Sequence, residues 1–160
     1  MIDVDWEVKV WRRAFKMEKD RKLGGIRLKS HYIELTQIDE VDGSLVFLEG
    51  MSEIPFNIKR VFYIFHNPKD AVRANHANKN TDFVLIAVHG SVNVEVDDGR
   101  ENRIFMLDSP NKGLYIPHMT WMRTFDFEEE AVLLVLASEK YEKSQYYEDY
   151  EVFIRVLNGD

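Results

Sequence analysis

The chain has 160 residues, 45% of them hydrophobic, which predicts one soluble globular domain with a substantial core and excludes a disordered chain. Its 28 acidic residues outnumber 21 basic ones, and the net charge of −7 excludes a broad electrostatic grip on nucleic acid or an anionic membrane, though a local basic cluster can still hold a phosphate ester. With no cysteine, disulfides, thiolate catalysis and a Cys-ligated metal are excluded, and a cytoplasmic protein is expected.

Met1 to Trp6 lacks the basic region and apolar core of a signal peptide, and no apolar run reaches the length of a membrane span. Ile2, Val4, Trp6, Val8 and Val10 alternate with charged residues, and this period of two predicts a half-buried strand. The charged stretch Arg12 to Lys22 and the pair Gly24-Gly25 predict a connecting segment. Short strands are then predicted at His31–Gln37, Ser44–Glu49, Arg60–His66, Phe83–Val88, Ser91–Val96, Arg103–Leu107, Gly113–Ile116 and Ala131–Ala137. Turn signals separate them, among them Asp42-Gly43, Asn67-Pro68, His89-Gly90, Asp98-Gly99 and Ser109-Pro110. Strands at this rhythm predict an all-β sandwich or barrel. From Glu139 to Leu157 the period changes: Tyr146, Tyr150, Phe153, Ile154 and Leu157 recur at three- and four-residue steps, which predicts an amphipathic helix packed on the barrel.

The segment Arg73-Ala74-Asn75-His76-Ala77-Asn78-Lys79 reads as a loop that feeds basic and imidazole groups into the strand at Phe83. His76 and Asn78 are two residues apart, so in extended backbone they share a face. With Arg73 and Lys79 beside them they suit an anionic, oxygen-rich ligand. Arg60 and Arg123 are further cationic candidates, because guanidinium groups meet a pyrophosphate in bidentate fashion. Tyr115 and Trp121 offer faces for a base or sugar, with core packing as the competing role for each. No metal is expected. The five histidines, His31, His66, His76, His89 and His118, show no spacing that draws three ligands to one point. Neither a Gly-x-Ser-x-Gly elbow nor a Gly-rich phosphate loop is present, which leaves proton transfer by His76 as the chemistry.

The run Ile54 to Phe65, the Arg73–Lys79 segment, the strand pair from Val84 through Asp97-Asp98-Gly99, the run Leu107 to Pro117 and the segment from Ala131 through the tyrosine-rich tail to Tyr150 together resemble the nucleotide-sugar 3,4-ketoisomerases. The likeness runs in order from about Ile33 to Val156. It implies a cupin-type antiparallel β-barrel (a jelly roll) with a C-terminal helix, spanning residues 31–160, preceded by an extension over 1–30 that is a candidate for strand exchange with a partner. It further implies a homodimer that uses no cofactor or metal and moves the keto group of a dTDP-4-keto-6-deoxyhexose from C4 to C3.

The family pattern, Arg-Gly-x-His-Ala-His-Lys/Arg, aligns His76 with the catalytic base and Arg73 with the arginine. Ala74 stands in place of the glycine, a mild change unless φ is positive there. Asn78 stands in place of the second histidine. A neutral amide does not titrate, so any shuttle role at that position falls to Tyr63 or a water, and Phe62 replaces one of the family's paired tyrosines. The resemblance therefore implies a catalytic set of His76, Tyr63 and Asn78, with Arg60, Arg73, Lys79, Tyr115, Trp121 and Arg123 binding the dTDP-linked keto sugar. A nucleotide-sugar-binding cupin without turnover, or a related epimerase, is the alternative.

Overall fold

The computed structural model describes residues 28–159, so the predicted strand at Ile2–Val10 and the connecting segment to Gly25 lie outside the described residues. Twelve strands are described: β1 (His31–Glu34), β2 (Gln37–Glu40), β3 (Gly43–Val46), β4 (Arg60–Ile64), β5 (Arg73–Asn78), β6 (Phe83–His89), β7 (Val92–Asp97), β8 (Asn102–Leu107), β9 (Lys112–Ile116), β10 (Trp121–Phe125), β11 (Val132–Ala137) and β12 (Tyr146–Tyr147). One helix, α1 (Tyr150–Asn158), closes the chain. The strands form two five-stranded sheets, ordered β1-β9-β6-β11-β4 and β12-β5-β10-β7-β8, with β2 and β3 as a separate hairpin. Every pairing between these strands is antiparallel, as the jelly-roll expectation requires.

Side-chain parity decides what fills the space between the sheets. Phe83, Leu85 and Ala87 of β6, Val92, Val94 and Val96 of β7, Leu114 and Ile116 of β9, and Leu133, Val135 and Ala137 of β11 point inward and form the main core. The alternate residues Val84, Ile86, Tyr115 and Leu136 face the other side of the first sheet, where Ile33, Leu35, Ile54 and Phe56 cover them. Strand β6 is thus apolar on both faces, which explains its unbroken hydrophobic run. On the far side of the second sheet, Ala77 and Trp121 pack on Phe153 of α1. The Asp97-Asp98-Gly99 turn forms as predicted, with Gly99 at φ +82° and its N–H donating to Asp97 Oδ1 at 2.7 Å.

Several elements differ from expectation, among them the predicted strand His31–Gln37, which ends at Glu34 and is followed by a separate strand from Gln37 that pairs with β3. The Arg73–Asn78 segment is itself a strand, and Trp121–Phe125, unassigned from sequence, is its hydrogen-bonded neighbour. Both lack a simple alternation because the outer face changes along the strands, covered by α1 at Ala77 and Trp121 and exposed at Arg123. The predicted helix from Glu139 begins only at Tyr150. Asp149 caps it by accepting from the Val152 N–H at 3.0 Å, and Gly159 ends it in a left-handed conformation. Ahead of the cap, Lys143–Gln145 forms a single 3-10 turn, and Tyr146 and Tyr147 then pair with Asn78 and Ala77 along the edge of β5. That pairing satisfies an edge that would otherwise be open.

Candidate active site

Between the two sheets lies an open cavity of about 600 Å³, lined among others by Arg60, Phe62, Tyr63, Arg73, His76, Phe83, Leu85, Met122, Thr124, Leu133, Val135, Tyr141, Tyr146 and Glu148. Phe83, Leu85, Met122, Leu133 and Val135 give it an apolar floor, and charged and hydroxyl side chains line much of the rest, a combination suited to a polar small molecule. His76 reaches it because β5 is positioned by β10: His76 lies opposite Met122, an inward residue, while Ala77 lies opposite Trp121 and faces α1. Just before His76 the register slips. Ala74 pairs with Arg123, leaving Asn75 unpaired, and Ala74 and Asn75 adopt φ +64° and +55°. This β-bulge re-aims the strand at the histidine. The condition under which alanine is a costly replacement for glycine is met at Ala74, since its φ is positive.

Burial pushes the His76 imidazole below its ordinary value of 6.5, and the nearby Arg60 cation adds to the effect. A hydrogen bond to the Ala74 backbone and the Glu148 carboxylate oppose it without prevailing. His76 is therefore neutral at neutral pH, with a lone pair available for a proton. The ring of Tyr146 meets it edge-on with centroids 4.8 Å apart. Arg60 donates from Nη2 to the Tyr146 hydroxyl at 3.3 Å, and its guanidinium lies 5.1 Å from the Phe62 ring and 5.5 Å from the Tyr141 ring. Arg73 is exposed and within 3.4 Å of Asn67 Oδ1. Several buried polar atoms have no hydrogen-bond partner among the described residues, including Arg60 Nε, Thr124 Oγ1 and both amide atoms of Asn78. Asn78 is 2% exposed and shares the His76 face of β5 by alternation.

The structure brings Arg60, Arg73, His76 and Tyr63 to this cavity, but Tyr63 only by its strand. Parity on β4 sends Arg60, Phe62 and Ile64 inward and turns the Tyr63 ring outward, where it is 63% exposed and 5.7 Å from the Phe65 ring. Five other candidates do not line it, and the first, Asn78, is buried two residues beyond His76 on β5. Lys79 donates to the Ser144 carbonyl at 2.7 Å and lies 5.0 Å from the Tyr147 ring. The Tyr115 hydroxyl donates to the buried Asp82 at 3.1 Å, on the opposite face of the first sheet. Trp121 stacks near Phe153 and Tyr150 under the helix, and Arg123 pairs with Glu95. Trp121 and Arg123 instead line a second, outer cavity of about 290 Å³ with Glu95, Asp97, Glu148 and Tyr150. There the hydrogen bond to Asp97 pushes the Tyr150 phenol up to about 12.

Tyr146, Tyr141, Glu148 and Thr124 also line the cavity, and no pattern in the sequence marks them as site residues. Tyr146 was hidden by its four-residue spacing from Tyr150, which reads as a helical step. Among the described residues no three His, Asp or Glu side chains converge as a metal site would need, and no helix is long and apolar enough to cross a membrane.

Residues 28–158 match the family described as FdtA: WxcM-like, C-terminal. The chain is 38% identical over 130 residues to a TDP-4-oxo-6-deoxy-alpha-D-glucose-3,4-oxoisomerase of Aneurinibacillus thermoaerophilus, covering 81% of this chain and 94% of that protein. Its fold is similar to the crystal structure of a 3,4-ketoisomerase from Helicobacter canadensis, with a TM-score of 0.80 and 37% identity over 82% of this chain and 99% of that one. It is equally similar to a mutant of the 3,4-ketoisomerase QdtA from Thermoanaerobacterium thermosaccharolyticum in complex with TDP-4-keto-6-deoxyglucose, with a TM-score of 0.80 and 37% identity over 84% and 97% of the two chains. A β-barrel carrying one neutral histidine in a cavity with an apolar floor, matched in sequence along nearly all of its described length, thus belongs to the FdtA, WxcM-like C-terminal family.

Proposed function

We propose that the protein is a sugar 3,4-ketoisomerase that converts a dTDP-4-keto-6-deoxyhexose to its 3-keto isomer. The observation that carries this reading is His76: a half-buried imidazole held neutral, at the wall of a cavity flanked by two arginines. A keto group at C4 acidifies the proton on C3, so a base of modest strength suffices to form an enediol. His76 takes that proton, and reprotonation at C4 completes the isomerisation. Arg60 and Arg73 supply the positive charge for the diphosphate. The relatives' names support the substrate class, because the matched enzymes act on TDP-linked 4-keto sugars.

Incubation with dTDP-4-keto-6-deoxyglucose in deuterated water tests the reading. Deuterium at C4 of a 3-keto product is expected. A C3 epimer would indicate the epimerase instead, and binding without exchange would indicate a module that holds nucleotide sugars without turning them over.

A cytoplasmic homodimer completes the proposal. The support for the dimer is the outward row Val61 and Tyr63 of the edge strand β4 and Phe65 just beyond it, which are 56%, 63% and 49% exposed. Apolar edge residues of this kind are suited to cover by a second copy. Light scattering at micromolar concentration would show a monomer if the row has another use.

A further inference from the structure

Moving a keto group between adjacent carbons requires two proton exchanges. One shifts a proton from C3 to C4. The other shifts a proton between the oxygens, because the C4 carbonyl becomes a hydroxyl while the C3 hydroxyl becomes a carbonyl. His76 accounts for the first only.

We propose that Tyr146 is a second catalytic residue, which carries the oxygen-to-oxygen proton. The inference rests on the ketoisomerase reading of the His76 site. Three observations support it. Tyr146 lines the cavity, and its ring lies 4.8 Å from that of His76, so one bound sugar carbon pair can face both groups. Its oxygen accepts from Arg60 Nη2 at 3.3 Å, which leaves the phenolic hydrogen free to donate into the cavity. The outward ring of Tyr63 has neither neighbour.

The steps balance without a co-reactant. As His76 removes the C3 proton, the Tyr146 O–H donates to O4, giving the neutral enediol, an imidazolium and a phenolate facing the Arg60 guanidinium. The phenolate then takes the proton from O3 as the imidazolium delivers its proton to C4. The C3–O3 carbonyl forms, and both side chains return to their starting states.

Tyr146→Phe removes one oxygen and keeps the ring against His76. Wild type, Tyr146→Phe and, as a control outside the cavity, Tyr147→Phe are compared in deuterated water with dTDP-4-keto-6-deoxyglucose. Melting temperature and dTDP affinity are measured alongside. Tyr146→Phe is expected to lower kcat by about 10²-fold or more, in the range for loss of an acid–base group, with dTDP affinity unchanged within about threefold. The ratio of deuterium exchange at C3 of recovered substrate to net isomerisation should rise. An enediolate can return to substrate without moving a proton between oxygens but cannot go forward without it. Tyr147→Phe is expected to keep the wild-type ratio. If Tyr146→Phe retains more than half of wild-type turnover, or if exchange and isomerisation fall in equal proportion, Tyr146 only buttresses His76 and the proposal is overturned. Absence of turnover by the wild type overturns the ketoisomerase reading and this step with it, whereas wild-type turnover with a silent Tyr146→Phe overturns this step alone.

Discussion

Ala74 lies opposite Arg123 across the β5–β10 pair although His76, two residues on, lies opposite Met122 immediately before Arg123. One residue of β5 is therefore surplus, and the chain absorbs it by placing Ala74 and Asn75 in the left-handed region. A non-glycine residue there costs about 1–2 kcal/mol, and such strain persists only where the surroundings impose it. The strain sits directly before the proposed catalytic base.

The first prediction follows from that geometry. Ala74→Gly should stabilise the protein by about 0.5–1 kcal/mol, since glycine adopts positive φ without steric cost but gains entropy in the unfolded chain. Ala74→Val should destabilise it by more than that and reduce turnover, because a β-branched side chain fits this region worse. Urea denaturation with parallel rate measurements checks both. A destabilised Ala74→Gly would show that the bulge does not strain the alanine.

His76→Asn is expected to lower turnover by about 10²–10⁴-fold while dTDP affinity stays near that of the wild type, because the diphosphate contacts are assigned to Arg60 and Arg73. Titration calorimetry and initial rates together separate the two effects. Retention of more than half the turnover would place the base elsewhere.

The pH profile carries a sign. Burial holds His76 below its ordinary value of 6.5, so kcat/KM should be full at pH 7 and fall only as the pH drops through the lowered value and the base is protonated. Glu148 raises the histidine and Arg60 lowers it, so Glu148→Gln should move this acid limb to lower pH and Arg60→Gln should move it to higher pH. Limbs that move the opposite way, or do not move, would show that His76 does not set them.

Asn78 links stability to function in opposite directions. A buried polar group without a partner costs about 1–3 kcal/mol, so Asn78→Leu, similar in volume and free of polar atoms, should raise the melting temperature of the unliganded protein. The same change should weaken turnover if the amide's partner is the substrate. Asn78→His should keep or raise activity, since it restores an imidazole on the His76 face. Thermal melts without ligand and rates with dTDP-4-keto-6-deoxyglucose test the pair of variants.

Trp121 makes a contrasting prediction. It is 8% exposed and packs on Phe153 and Tyr150, so Trp121→Ala should destabilise the protein by about 3–5 kcal/mol. Trp121→Phe should recover part of that loss, with dTDP affinity near that of the wild type. A large loss of affinity in the well-folded Trp121→Phe variant would return Trp121 to the binding site.

What the sequence determined by itself was the material of the fold. The alternation in Ser91–Val96, the apolar runs at Phe83–Val88 and Ala131–Ala137, and the turn at Asp97-Asp98-Gly99 are local patterns, and local patterns of this kind decide strand and hairpin formation. The shared face of His76 and Asn78 was legible for the same reason, since it depends only on extended backbone. Strand parity relative to the core was not legible. Trp121 and Arg123 face outward while Met122 and Thr124 face inward because β10 lies between β5 and β7, with α1 laid over its outer side, and neither neighbour is near it in sequence. The sign of φ at Ala74 likewise depends on the pairing of β5 with a strand that begins at Trp121. Tyr146 required the whole tertiary structure. Its spacing suggested a helix, but the Asp149 cap starts the helix later and the open edge of β5 draws Tyr146 into the sheet, which sets its hydroxyl beside Arg60 and its ring against His76.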